Sequence, residues 1–95
     1  MTWSIRYQKA AIKALAKLDA GERATLLKFL NETLPTMDNP RSKGEPLHGK
    51  LSEYWKYRVG DYRVVVQILD KELVVTVVFV GNRKEIYKLM QRNMA

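Results

Sequence analysis

Apolar and polar residues alternate most regularly between Tyr54 and Ile68, where YWKYRVGDYRVVVQI reads as two strands folded about Gly60-Asp61. Glycine supplies the positive φ that a two-residue hairpin turn requires. This turn sets Val59 opposite Tyr62, Arg58 opposite Arg63, Tyr57 opposite Val64 and Lys56 opposite Val65. Side chains alternate faces, so Trp55, Tyr57, Val59, Tyr62, Val64, Val66 and Ile68 share one face, and Lys56, Arg58 and Arg63 share the other. The first is a core face. Like charges brought together on a sheet repel, so the second calls for an anion, either a carboxylate or a phosphate.

The flanking patterns build outward from this hairpin. Trp3 to Tyr7 is β-forming and reads as a first strand whose partner the pattern leaves open. From Gln8 to Leu18, Ala11, Ala14, Leu15 and Leu18 make one helical stripe, while Lys9, Lys13 and Lys17 repeat every four residues on another side, read as a solvated face. Asp19 and Glu22 form a capping-box pattern for a second helix from about Ala20 to Leu34, burying Leu26, Leu27, Leu30 and Leu34, and Pro35 stops it. The two helices read as an antiparallel pair on the apolar face of the sheet. Pro35 to Ser52 holds all three prolines and the single histidine, His48, and reads as a long loop. Asp70-Lys71-Glu72 is a polar turn, and Leu73 to Gly81 is a near-continuous apolar strand covered on both faces. A last helix starts at Asn82, with Ile86, Met90 and Met94 spaced by four. The expected order is β, α, α, β, β, β, α in a single domain, residues 1–95.

Composition narrows the function. Seventeen Lys and Arg against ten Asp and Glu leave a net charge of +7, which favours a polyanionic or acidic partner. The absence of cysteine excludes disulfides and Cys-based zinc sites. The chain begins without an apolar signal core, and its longest apolar run is too short to span a bilayer, so a cytoplasmic protein with no membrane contact is expected. One histidine cannot supply a two-imidazole acid and base pair. Metal-ligand spacing, a Gly-rich phosphate loop and a nucleophile elbow are all missing, so no cofactor or metal is expected.

The remaining candidate chemistry is cationic. Lys56, Arg58 and Arg63 lie on the hairpin, and Arg83 and Lys84 open the last helix. Cations at a helix N-terminus oppose its dipole unless an anion sits there to collect both. Tyr87, one turn after Arg83, offers a ring to stack on a base and a hydroxyl for proton transfer.

YRVGDYRVVVQI followed by VGNRKEIYK resembles the RelE family of bacterial toxins, within the wider RelE/ParE superfamily, and the element order agrees from end to end. The resemblance implies an α+β, RelE-like fold: an antiparallel sheet, two N-terminal helices packed on one face and a short C-terminal helix. It also implies a toxin that enters the ribosomal A site and cleaves messenger RNA without a metal, by attack of a ribose 2′-OH on the adjacent phosphate. A cognate acidic antitoxin would block it.

Carried over residue by residue, the resemblance places Lys56 and Arg58 at the scissile phosphate, makes Arg83 the arginine of a Gly-x-Arg motif and makes Tyr87 the C-terminal tyrosine. Crowding by cations suits Lys56 to a general base, and guanidinium donors suit Arg58 and Arg83 to the charge growing on the phosphorane. Arg63, Lys84 and Lys50 are expected to bind substrate, with Arg63 alternatively held in a salt bridge to Asp61 or Glu53. Tyr54 replaces a further lysine and Asn82 a frequent histidine, leaving fewer proton-transfer groups unless His48 or Lys50 substitutes from the loop. Two other readings compete: a ParE-like inhibitor of DNA gyrase without nuclease activity, and a basic nucleic-acid-binding module. The gyrase class generally lacks the Arg83 and Tyr87 constellation.

Overall fold

The computed structural model describes residues 2–94, without the side chains of Met90 and residues 92–94. A five-stranded sheet has the spatial order β1-β5-β4-β3-β2. Its centre is the hairpin of β3 (Tyr54–Val59) and β4 (Tyr62–Leu69), in the register expected: Val59 pairs Tyr62, Arg58 pairs Arg63, Tyr57 pairs Val64 and Lys56 pairs Val65. Gly60 has φ +60° while Asp61 has no positive φ, the signature of a turn with glycine at its first central position. β5 (Val74–Asn82) runs antiparallel to β4. β1 (Ser4–Tyr7) adds to its other side in parallel, which identifies the partner the pattern had left open and makes the sheet mixed where the resemblance implied an antiparallel one.

α1 (Lys9–Ala16) and α2 (Ala20–Lys28) cover the apolar face. Ala11, Leu15, Leu26, Leu30 and Leu34 meet Tyr57, Val64, Val66, Val75 and Val77 in the main core. Asp19 caps α2 by accepting from the Glu22 backbone N–H at 3.0 Å. Beyond Lys28 the ladder loosens into a π turn over Phe29–Thr33 and then a 3₁₀ turn over Leu34–Thr36. Pro35 explains this departure from the expected continuous helix. Its ring would clash with the carbonyl four residues back, and rerouting the Leu34 N–H to the Phe29 carbonyl opens that ladder.

The stretch read as a loop contains one more strand. β2 (Gly44–Pro46) pairs antiparallel with Tyr57, Lys56 and Trp55 of β3. Three residues ending in proline leave no alternation to detect, yet the edge of β3 offers backbone partners that they fill. Two contacts fix the approach to β2: Tyr57 donates to the Pro40 carbonyl at 2.6 Å, and Arg41 makes a bidentate bond to Asp70 at 2.8 and 2.7 Å.

The opposite face is covered only in part. α3 (Arg83–Met94) docks there through Ile86, which joins Leu47 and Val65 in a small second cluster edged by Leu51, Tyr54, Phe79 and Leu89. The expected contributions of the Met90 and Met94 side chains lie outside the described residues. Among the described residues, no helix is long and apolar enough to cross a membrane.

Candidate functional site

Side-chain alternation in β3 and β4 puts Lys56, Arg58 and Arg63 on the face that α1 and α2 leave uncovered. The β5–α3 corner then brings a second group to them. Gly81 makes this corner possible, because a Cβ there would lie 2.8 Å from the Phe79 ring and 3.0 Å from the Glu85 Cβ. Asn82 and Glu85 fasten it reciprocally: Glu85 N–H donates to the Asn82 side chain at 2.9 Å, and Asn82 N–H donates to the Glu85 carboxylate at 3.2 Å. Asn82, read from sequence as a missing proton-transfer group, therefore serves as a helix cap. The Asn-x-x-Glu spacing was the available signal.

The cap aims Arg83, Ile86 and Tyr87 at the hairpin, and they close a cleft of about 300 Å³ together with Lys43, Glu45, Lys56, Arg58 and Arg63. Arg83 donates from Nε and Nη2 to the Tyr87 hydroxyl at 3.4 and 3.2 Å, with its guanidinium carbon 5.4 Å from the ring centroid. These bonds, reinforced by the charges of Arg83, Lys56 and Arg63, hold the Tyr87 hydroxyl below the ordinary phenol pKa. The ring is 49% exposed, so one side stays open to a ligand.

Lys56 meets a carboxylate: its Nζ lies 3.9 Å from Glu45 on β2. Glu45 was missed in the sequence because its position depends on the unrecognised strand, and Lys43 was missed for the same reason. The anion called for by the crowded cations is thus supplied in part by the chain itself. Among the described residues, no carboxylate lies within ion-pair distance of Arg58, Arg63 or Arg83. Arg63 forms no salt bridge to Asp61 or Glu53; it donates to the Tyr62 carbonyl at 3.2 Å and lines the cleft.

Three loop and helix candidates fall elsewhere. Lys50 sits in the 3₁₀ turn Gly49–Leu51, His48 immediately before it, and Lys84 is exposed on α3; none of them lines the cleft. The arrangement suits a phosphodiester: three guanidinium groups to bind its oxygens, an ammonium beside a carboxylate, an acidified phenol and an exposed ring.

Comparison with known proteins gives the family and the fold. Residues 5–87 match a family model described as the ParE toxin of the type II toxin-antitoxin system parDE. A putative RelE-like toxin protein of Escherichia coli is 30% identical over 97 residues, 99% of each chain. The mRNA interferase toxin RelE of Escherichia coli K12 is 34% identical over 90 residues, 92% of each chain. Among solved structures, the toxin-antitoxin complex RelBE2 from Mycobacterium tuberculosis matches with a TM-score of 0.80 and 26% identity, over 87% of this chain and 93% of that one. A mutant Escherichia coli RelE in the free state matches over 100% of both chains, with a TM-score of 0.73 and 28% identity.

Proposed function

The chain belongs to the RelE/ParE toxins of type II toxin-antitoxin systems, and on that premise we propose that it is a ribosome-dependent endoribonuclease cutting messenger RNA in the A site. The observation that carries the reading is the convergence of Lys56, Arg58, Arg63, Arg83 and Tyr87 on one open cleft.

The reaction follows from what each group can do. Arg58 and Arg63, without carboxylate partners among the described residues, bind the scissile phosphate and neutralise charge as it grows on the phosphorane oxygens. The 2′-OH attacks phosphorus, its proton leaves, the bond to the 5′ oxygen breaks, and a cyclic phosphate and a 5′-OH end result. Removal of the 2′ proton falls to Lys56 and Glu45 as a pair. The carboxylate supplies the acceptor that cations alone lack, and the 3.9 Å contact ties its position to that of Lys56. Tyr87 is the better acid for the departing oxygen, because Arg83 bonds to its hydroxyl and leaves its own proton available. Arginine itself is a poor acid. An exposed ring one turn into α3 also gives a base a surface on which to stack.

Some of the solved relatives are complexes of a toxin with its antitoxin, and we infer such a partner here. In this chain its inhibitory segment would be acidic and lie over Lys56, Arg58 and Arg83, competing with phosphate for the same donors. α3 is held by a small cluster and is the element such a segment can most readily move.

Mapping 5′ ends on messages translated in the presence of the chain tests the reading. Cuts inside codons at the A site are expected. Intact messages with stalled gyrase would assign the chain to the gyrase-inhibiting class instead.

A further inference from the structure

The lysine stripe of α1 has no role in the cleft. Lys9, Lys13 and Lys17 are exposed, and among the described residues none makes an ion pair. The first 18 residues carry four cations and no carboxylate. Within the helix this arrangement is unfavourable, since like charges four residues apart repel and Lys9 in the first turn opposes the dipole. Lys13 and Lys17 line a groove of about 450 Å³ together with Tyr62, Phe79, Gly81 and Glu85. That groove adjoins the cleft at the β5–α3 corner: Gly81 and Glu85 line one while Arg83 and Tyr87 line the other, and the neighbours Tyr62 and Arg63 divide in the same way. The carboxylate in the groove, Glu85, is already engaged in capping α3.

We propose that the lysine face of α1 is a second RNA-binding surface, one that holds backbone phosphates of structured RNA beside the cleft. The proposal rests on the reading that the cleft works on ribosomes. Successive lysines are about 6 Å apart along the helix axis, a ladder of point charges suited to a phosphate backbone. A protein partner is the poorer fit. Protein interfaces are depleted in lysine, whereas Lys13 and Lys17 line this groove, and its aromatic residues are already engaged, Tyr62 by a hydrogen bond to Glu22 and Phe79 by packing on the cluster of Leu47, Val65 and Ile86. Ile12, a large exposed apolar residue of α1, lines a separate groove with Tyr7 and Leu27.

The test titrates the full chain against 70S ribosomes with a vacant A site, by co-sedimentation between about 50 and 200 mM salt, the range over which phosphate contacts are lost. The triple variant Lys9→Gln, Lys13→Gln, Lys17→Gln is expected to bind about 10-fold more weakly, with a salt slope lower by about 2 to 3 and an unchanged melting curve. The corresponding triple Lys→Arg variant should bind like the parent. Unchanged affinity and slope in the Gln variant would overturn the inference, and message cleavage by that variant would leave the reading of the cleft standing. A parent that binds ribosomes through these lysines but cuts no message overturns the cleavage reading and keeps this one. Failure of the parent to bind ribosomes overturns both. Weaker binding of a polyglutamate peptide with unchanged ribosome affinity assigns the face to an acidic protein and overturns the inference.

Discussion

Tyr57 and Lys56 are consecutive residues of one strand and lie in opposite environments. On the side of Tyr57 the sheet is sealed by α1 and α2. On the side of Lys56 a smaller cluster holds α3 at one end, and the rest is a cationic cleft. The same contrast separates two tyrosines. Burial pushes the Tyr57 hydroxyl up to about 12 and keeps it a donor to the Pro40 carbonyl, whereas Arg83 draws the Tyr87 hydroxyl down. One face provides the stability that lets the other concentrate like charges, and substitutions on the two faces should therefore fail in different assays.

The largest effect is expected on the sealed face. Tyr57→Ala removes a ring that is 1% exposed, packs edge-on to Phe29 and bonds to Pro40, and should cost about 3 to 5 kcal/mol of stability. Denaturant melts check it. A Tyr57→Ala protein as stable as the parent, beside a Lys56→Ala protein that unfolds, would exchange the roles of the two faces. Next comes Arg83→Ala, expected to leave the melt nearly unchanged and to slow cleavage at least 100-fold, about 2.7 kcal/mol of lost transition-state stabilisation. Cleavage at the parent rate would remove Arg83 from the chemistry.

Tyr87→Phe sharpens the comparison further. It keeps the ring and deletes the acidified hydroxyl, so single-turnover cleavage on programmed ribosomes should slow about 10-fold with ribosome affinity unchanged. Full activity in the Phe form combined with weak binding in the Ala form would mean stacking alone. The smallest effect belongs to the Arg41–Asp70 bridge, which braces the segment before β2. Bonds from Arg41 hold the Asp70 carboxyl below its usual range, so its contribution is present above the unfolded carboxylate pKa of about 3.9 and is lost as pH falls through the lower folded value. Asp70→Asn should therefore melt slightly earlier than the parent at neutral pH, with the gap closing in acid.

The hairpin, its register and its two faces were legible because alternation with a fixed period of two leaves a strong trace in side-chain chemistry. Asp19 was legible for the same kind of reason: a cap is a local bond between residues three apart. What escaped was decided by backbone groups over long distances. The bonds that place β2 leave no apolar pattern, and with β2 went Lys43 and Glu45, the carboxylate beside Lys56. The parallel partnership of β1 with β5 was invisible because apolar strands carry no mark of which neighbour they will choose. Lys50 and Lys84 show the converse, charges that the sequence offered for the site and that do not line the cleft.

That pairing of β1 with β5 also sets a clock. Ser4 pairs with Val74, so a loop of roughly 70 residues must close before the sheet is whole. At a synthesis rate of about 5 to 20 residues per second, the first strand waits roughly 4 to 14 s for its partner to be made. The two helices gain part of the surface they bury against when β3 and β4 are made, and the rest only with β5. Arg83 and Tyr87 follow β5 immediately, so the sheet and the cleft are completed within about the same few seconds. The cleft is therefore among the last parts of the described structure to be assembled.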